Sequence, residues 1–357
     1  MKIKETYNSI RKGMRMPAPY RNSLILNRVA DASTSLRGLM CRYLWRRLEK
    51  QVERLASDSA GAQSAYVLAI PHYTTGIGHS VMELITAVVR AQRWGLKYLH
   101  MPLREPWEDF FSFGVNEDQY ADVMARKPII IDLPYIPFPD HPEQEGWLRD
   151  LIQGFRSEQL VVFRLFPKTS VFAQSEGSSF LRGKYMKRRI EDPIENLLED
   201  GKVNVAIHIR RGDIMAMMKA GVGSWKERYV DLDYFVDLAK EVEDLCGRDR
   251  VCFNIFSQGD LADFQAFDCL SNVHYRLDYD VFASFHNLAM ADVLVGSPSS
   301  FSYLPSLFSD GVKIFRSPFW HDLPDAPGWV RFEDGDDVGR SSIRLKLTAA
   351  LKHKKLI

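Results

Sequence analysis

The sequence has few cysteines and no long apolar run. Its four cysteines, Cys41, Cys246, Cys252 and Cys269, form no CxxC pair and have no histidine at the spacing of a metal motif. This favours reduced thiols, with a Cys246–Cys252 bridge as the alternative in a lumenal protein. No stretch reaches the roughly 18 apolar residues that cross a bilayer, and the amino terminus lacks the apolar core of a secretory signal. We expect a soluble chain, cytoplasmic or membrane-peripheral if full length, and in the Golgi or ER lumen if it is a trimmed form.

The sequence also lacks charge of one sign. Forty-seven basic residues stand against 46 acidic ones, so the formal net charge is +1. Because there is no strong overall field, the composition does not argue for a nucleic-acid partner, and we expect none. Hydrophobic residues make up 46% and charged residues 26% of the 357 residues, as is typical of globular proteins. This length suits two domains of ordinary size.

The amino-terminal segment differs from the rest in charge. Through Lys50 it has twelve Lys or Arg and three acidic residues. Apolar residues over 24–56 recur at spacings that suit one helix face. A basic amphipathic helix of this kind packs on its own domain, or contacts an anionic membrane surface or a partner helix, including one of a second copy. We therefore predict a basic helical extension over residues 1–60.

Short apolar runs alternate with helical stretches from residue 65 onward. The first series has predicted strands at Tyr66–Ile70, Lys97–Met101, Pro128–Leu133 and Leu160–Phe166, with helices at Ser80–Trp94 and Ser178–Leu198. The second has predicted strands at Val203–Ile209, Val251–Ser257, Asn272–Leu277, Val293–Gly296 and Val312–Phe315, with helices at Tyr234–Leu245, Asp280–Ala291 and Phe301–Phe308. Such alternation predicts an α/β fold of two doubly wound, Rossmann-like domains facing across a cleft, here residues 61–200 and 201–335, followed by a carboxyl-terminal helix over 336–357.

The sharpest motif is His208-Ile209-Arg210-Arg211-Gly212-Asp213, which directly follows the apolar run 203–207. Adjacent side chains of an extended segment point in opposite directions, so one arginine can reach a ligand while the other braces the loop. Guanidinium groups suit diphosphate oxygens because they form paired, charge-assisted hydrogen bonds. Gly212 permits a tight turn, and Asp213 can orient an arginine or cap the next element. The pattern predicts a diphosphate site at the strand end.

Two further turns carry polar residues that suit an anion or a sugar. In the first domain, residues 74–79 include Gly76, Gly78 and His79 between the first strand and its helix, although an ordinary turn explains such glycines equally well. His79 and Glu83 have helical spacing for a metal pair but lack a third ligand. In the second domain, a serine-rich turn offers Ser299 and Ser300 at a helix start.

The run HIRRGD resembles the HxRRxD signature of the α1,2-, α1,6- and protein O-fucosyltransferase superfamily. TGIGH resembles that group's Gly-rich motif, in which His79 departs from the usual GxGN. Ile255–Asp260 resembles the segment between the arginine and serine motifs, and Ser299-Ser300-Phe301-Ser302 resembles the late SSFS segment. The matches occur in the family's order over residues 66–315, and HxRRxD is the diagnostic one.

This resemblance implies a GT-B fold with the acceptor site in the first half and GDP-fucose in the second. It implies an inverting glycosyltransferase that needs no metal and no cofactor beyond its donor, and that transfers fucose to a glycan or another hydroxyl acceptor. Arg210 and Arg211 would then stabilise the departing GDP. His208 would lie by the diphosphate or sugar. The nucleotide would contact residues of the later segments, namely Ser257, Asp260, Ser299, Ser300 and Phe301.

The general base is not evident from the sequence. Related α1,6 enzymes have a glutamate shortly after the arginine motif, but the matching stretch here is 215–218, Met-Ala-Met-Met. Asp213 is our first candidate, with Glu227 and Glu83 as alternatives. The strings Asp278-Tyr279-Asp280 and Asp231-Leu232-Asp233 leave open a metal-dependent DxD glycosyltransferase using another nucleotide sugar. A catalytically silent relative that binds a nucleotide sugar or glycan is the third alternative.

Overall fold

The structure is a computed structural model of the chain. It describes residue 48, 65–71, 76–133, residues 146, 148, 149 and 152, 160–165, 174–219, 228–317, residues 319 and 321, 323–332 and 341–357. The prediction of a helix over 24–56 therefore lies outside the described residues, apart from the buried Leu48. Among the described helices, none is long and apolar enough to cross a membrane.

The chain divides into two compact units, residues 1–177 and 178–357. This division lies earlier than the boundary predicted at residues 200 and 201. The reason is the helix that begins at Ser178, whose buried Tyr185 packs edge-on against Phe285 and Phe308 of the second unit. This helix ends at Glu191, seven residues before the predicted end at Leu198.

The first unit contains a five-stranded parallel sheet. Its strands are β1 (Ala65–Leu68), β2 (Lys97–His100), β3 (Asp118–Gln119), β4 (Ile129–Asp132) and β5 (Val161–Arg164). They lie in the order β3-β2-β1-β5-β4. The described helices are α1 (Ile77–Trp94), α2 (Trp107–Phe111) and α3 (Tyr120–Ala125). Both β1 and β5 are buried over their whole length, because α/β sheets of this kind are covered on both faces.

The second unit contains a six-stranded parallel sheet. Its strands are β6 (Val203–His208), β7 (Val251–Ser257), β8 (Val273–Leu277), β9 (Val293–Gly296), β10 (Val312–Arg316) and β11 (Trp329–Phe332). Its described helices are α4 (Ser178–Glu191), α5 (Gly212–Lys219), α6 (Leu232–Cys246), α7 (Val281–Met290), α8 (Ser300–Ser306) and α9 (Ser341–His353). Short 3₁₀ helices lie at Gln174–Gly177 in the first unit and at Arg248–Arg250 and Leu261–Cys269 in the second.

Strand order in the second sheet is β8-β7-β6-β9-β10-β11. The chain starts at the central β6, moves outward through β7 and β8, and returns to the other side of β6 as β9. The order therefore reverses between β6 and β9, which is the arrangement of doubly wound nucleotide-binding sheets. In such sheets, ligands bind outside the carboxyl ends of the strands at this reversal.

Alternating residues of β6 explain how helices cover both faces of this sheet. Val203, Val205 and Ile207 join a core cluster that includes Phe235 of α6 and Leu347 of α9. The intervening residues face the opposite side, where α7 packs on β6. The predicted α/β class with two successive parallel sheets is confirmed.

Candidate functional site

The arginine motif lies at the carboxyl end of β6, beside the point where the strand order reverses. The serine-rich turn 297–300 follows β9, the neighbouring strand across that point. Ser297 joins the two segments: its Oγ donates to the carbonyl oxygen of His208 at 2.9 Å and accepts from the backbone N–H of Arg210 at 3.0 Å. On the other side of β6, Ser257 Oγ donates to Ile209 O at 2.7 Å. The backbone of the motif is thus fixed from both neighbouring strands.

Arg210 forms a two-bond pair with Asp213. Its Nε and Nη2 donate to the two carboxylate oxygens at 3.1 Å and 2.6 Å. The Arg210 side chain is 20% exposed and that of Asp213 is 54% exposed, so the pair is accessible from solvent. Burial alone would raise the pKa of Asp213, but the hydrogen bond and charge of Arg210 outweigh it and hold that pKa below its usual value. A carboxylate held ionised in this way orients the guanidinium and is a weak proton acceptor.

Arg211 points into the protein. Its Nη2 donates to Val230 O at 2.9 Å and its Nη1 to Arg210 O at 3.2 Å. Its guanidinium carbon lies 4.5 Å from the ring centroid of Tyr229, and only 8% of the residue is exposed. The two adjacent arginines therefore differ: one is presented at the surface, and the other anchors the loop.

His208 is held neutral beneath the serine turn. Its Nδ1 lies 2.5 Å from Ser302 Oγ, and its ring lies 5.3 Å from that of Phe301. Burial, reinforced by the charge of Arg210, lowers the pKa of His208 to about 3. The imidazole therefore carries no charge at neutral pH, so Arg210 supplies the positive charge here.

The serine turn is internally bonded. Ser299 is the N-cap residue of α8, and its Oγ accepts from Phe301 N at 3.2 Å. Ser300 Oγ lies 2.8 Å from His321 Nε2. The His321 ring stacks on Tyr303 with centroids 4.4 Å apart. His321 lies between β10 and β11, where no motif in the sequence marks it.

Gly212 does not form the tight turn that we predicted. It is the first residue of α5, and its lack of a side chain makes room for Gln258, because a Cβ there would lie 2.0 Å from Gln258 Oε1. Met215 N donates to Arg211 O, so the helix begins directly after the two arginines. Asp213 in its first turn suits the positive end of the helix dipole.

Asp260 and the first DxD string lie around the carboxyl end of β7 and β8. Asp260 is exposed and precedes the 3₁₀ helix Leu261–Cys269, without a side-chain cap bond. Asp278 Oδ2 accepts from Gly259 N at 3.3 Å. Asp280 caps α7 by accepting from Phe282 N and Ala283 N. Both aspartates of this string are thus engaged by backbone N–H groups.

In the first unit, the glycine turn follows β1. Residues 72–75 lie outside the described residues, and α1 begins at Ile77, three residues before the predicted start. Gly78 and His79 therefore belong to the first helical turn, where His79 N donates to Gly76 O at 3.0 Å. Gly76 is exposed, and a Cβ there would meet no atom of the described part of the chain within 4 Å. His79 is exposed and Glu83 is buried, and neither belongs to a group of three metal-ligand side chains among the described residues.

Comparison with known proteins gives distant structural similarity alone. No protein-family model and no curated protein matches the sequence. POFUT1 in complex with GDP-fucose is 14% identical, with a TM-score of 0.47 over 77% of this chain and 100% of that one. The fucosyltransferase NodZ from Bradyrhizobium is 13% identical, with a TM-score of 0.35 over 70% and 94%. A point mutant of Arabidopsis thaliana FUT1 in complex with GDP is 12% identical, with a TM-score of 0.38 over 86% and 80%. The similarity predicted from the motifs is thus found in structure at low identity.

Proposed function

We propose that this chain is a glycosyltransferase that binds a GDP-sugar, GDP-fucose first, at the carboxyl ends of β6 and β9. The observation that carries this proposal is the joining of two polar segments at the reversal of strand order. Ser297 bonds to both His208 and Arg210, so the arginine motif and the serine turn form one continuous edge. Ligands of doubly wound sheets bind at this place.

Arg210 is the residue that we assign to the diphosphate. Its guanidinium is accessible and already oriented by Asp213. As the sugar leaves, negative charge grows on the diphosphate, and a preorganised cation stabilises that charge without a metal. Arg211 keeps the loop in place through Val230 and Arg210 carbonyls, and acts as a positioning residue.

His208 and Asp213 then have supporting roles. His208, neutral and held against Ser302, shapes the floor beneath the diphosphate. Asp213 orients Arg210 rather than serving as the general base, because its lowered pKa opposes proton uptake. Ser300, Phe301 and Ser257 line the same edge, and Gly76 with its open surroundings belongs to the acceptor side of the proposal.

The decisive experiment is a binding and transfer screen of GDP-fucose, GDP-mannose and UDP-sugars, with and without EDTA. We expect preferential GDP-fucose binding and donor hydrolysis or transfer that survives the chelator. Arg210→Ala should reduce turnover by roughly 100- to 1000-fold, the typical effect of removing one charge-stabilising donor. The matched control is Arg248→Ala, an exposed arginine that precedes β7 at the opposite end of the sheet.

Each contrary result has a distinct meaning. Binding without hydrolysis or transfer would identify a silent binding relative. Activity abolished by EDTA while the protein stays folded would favour the DxD alternative. Equal loss in Arg210→Ala and Arg248→Ala, or unchanged GDP-fucose binding in Arg210→Ala, would refute the assignment of the diphosphate to Arg210.

A further inference from the structure

A second polar cluster lies at the amino-terminal ends of the strands, away from the arginine motif. Among the described residues, one group of three side chains could hold a metal ion: Glu199, Cys252 and His274, whose ligand atoms all lie within 4.8 Å of one another. Cys252 is the second residue of β7, His274 is the second residue of β8, and Glu199 precedes β6. We propose that these three side chains form a zinc site.

Sheet register explains why two of the ligands meet. Asn254 pairs with His274, and Cys252 lies two residues before Asn254, so Cys252 and His274 lie on the same face of the sheet. On the next strand, Asn204 pairs with Cys252. The sheet itself therefore brings together a thiol and an imidazole that are well separated in the sequence.

The third ligand arrives on an anchored segment. Glu199 is fixed through its backbone, because its N–H donates to Asn204 Oδ1 at 2.8 Å and its carbonyl accepts from Asn204 Nδ2 at 3.0 Å. Upstream, Leu197 N donates to the fully buried Asn287 of α7 at 2.8 Å. The carboxylate is therefore presented by a segment bonded to both β6 and α7.

The donor atoms suit zinc in geometry and type. His274 Nε2 and Glu199 Oε1 are 3.0 Å apart, and about 3.4 Å is needed when both bind one tetrahedral zinc at about 2.1 Å. A shift of a few tenths of an ångström brings these two atoms to that separation, and Cys252 Sγ lies within 4.8 Å of both. Thiolate, imidazole and carboxylate are common zinc ligands, and the two anionic ligands balance the charge of Zn²⁺.

Neighbouring groups support the arrangement. Asn272 Nδ2 donates to Glu199 Oε2 at 3.2 Å, which leaves Oε1 directed at His274. Arg276, the nearby cation on β8, donates from its Nε to Asn254 Oδ1 at 3.1 Å. Cys252 is fully buried, whereas the side chains of His274 and Glu199 are 39% and 38% exposed. Zinc can therefore enter from solvent, and a water completes four-coordination.

Binding exchanges one set of bonds for another. The Cys252 thiol loses its proton to solvent. His274 gives up the Nε2 proton that it shares with Glu199, to its own Nδ1 if the ring is neutral or to solvent if it is an imidazolium, and the Glu199–His274 hydrogen bond is replaced by two metal bonds. Because this site lies at the opposite end of the sheet from Arg210, the metal stabilises the fold of the second unit and takes no part in donor binding. The zinc site is thus independent of the proposed function.

Cobalt substitution tests the site directly. Purified wild-type protein is stripped with chelator, dialysed and titrated with Co²⁺ and then Zn²⁺, while thiolate-to-cobalt absorption and the thermal midpoint are recorded. We expect one equivalent of Co²⁺ to give a thiolate charge-transfer band, Zn²⁺ to displace it, and the midpoint to rise with zinc. Cys252→Ser should lose the band, and His274→Ala and Glu199→Gln should weaken zinc affinity by at least about tenfold.

The other described thiols are the matched controls. Cys246→Ser removes a buried thiol and Cys269→Ser an exposed one, and both should retain the band. A wild-type protein without the band, or a band that persists in Cys252→Ser, would overturn the proposal. If Cys252→Ser does not fold, unchanged zinc affinity in both surface variants, His274→Ala and Glu199→Gln, would overturn it equally. GDP affinity measured on the same samples separates this result from the proposed function, because we expect it to be unaffected by zinc.

Discussion

The turns after β1 and after β6 occupy equivalent places in their sheets. Each follows a strand that has neighbours on both sides in its sheet, and each leads toward a helix. Their construction differs. Serine hydroxyls and a buried guanidinium fix the turn after β6 through Ser297, Ser257 and Arg211. The described part of the turn after β1 has a helix start at Gly76 with no side-chain cap bond.

The β6 turn is therefore a charged site with a fixed side chain, whereas the β1 turn is an uncharged site at Gly76. The β6 turn carries a cation whose orientation is set before any ligand arrives, so little reorganisation is needed when a diphosphate binds. At Gly76 the backbone is exposed, and a Cβ would meet no described residue within 4 Å. The proposed function therefore assigns the diphosphate of the donor to the β6 turn and an uncharged hydroxyl acceptor to the β1 turn.

The largest change in stability should come from removing Arg211, which anchors the β6 turn. Arg211→Ala deletes two hydrogen bonds and a stacking contact and leaves Val230 O unpaired. We expect it to lower the free energy of unfolding by about 2–4 kcal/mol. Arg210→Ala removes an accessible ion pair and should cost less than about 1 kcal/mol. Urea denaturation of the two variants provides the measurement, and equal losses would contradict the distinct roles of these neighbours.

The sequence predicted the position of the β6 turn at a strand end better than it predicted the contacts within the turn. An apolar run followed by HIRRGD is enough to place the motif at a strand end, because burial and period-2 geometry are local properties. The direction of each arginine depends on Val230, Tyr229 and Asp213, and two of these lie in a different segment. Pairing across segments has no signature in the order of residues.

The same limit applies to the glycines and to the cysteines. The local pattern predicts a turn at Gly212, yet the role of this glycine follows from Gln258 at the far end of β7, which only the folded sheet brings near. Cys252 and His274 match no metal spacing because their proximity comes from strand register. Motif rules detect ligands on one local segment, whereas a sheet assembles them from three.

The second predicted change in stability is a pH dependence caused by His208, the neutral histidine of the β6 turn. The folded-state pKa of His208 is about 3, below the ordinary value of 6.5. Between these values the unfolded chain binds the proton and the folded chain does not, so stability is complete above about pH 6.5 and falls as the pH drops toward 3. In this pH range, protonation of His208 in the unfolded chain should lower the free energy of unfolding by up to about 1.4 kcal/mol for each pH unit.

Denaturation curves at pH 7, 6, 5 and 4 measure this contribution. His208→Gln keeps a polar side chain for Ser302 and removes the titration, so its stability should fall less steeply than that of the wild type. His286, whose pKa burial lowers to about 4, titrates on α7 in both proteins and cancels in the difference. Parallel curves for wild type and variant would show that His208 is not held neutral.

The smallest effect is expected at the β1 turn. Gly76 has φ −62°, a value that alanine adopts, and a Cβ there would meet none of the described residues within 4 Å. Gly76→Ala should therefore change the free energy of unfolding by no more than about 0.5 kcal/mol. Gly95 at the other end of α1 is the matched control, because its φ of 68° makes Gly95→Ala cost about 1 kcal/mol.

Because Gly76→Ala should leave the fold unchanged, this variant also tests the function of the β1 turn. If the β1 turn receives the acceptor, the KM for the acceptor should rise while GDP-sugar affinity stays constant. If Gly76→Ala has wild-type kinetics, the β1 turn is not part of the acceptor site, and only the β6 turn keeps its assigned function.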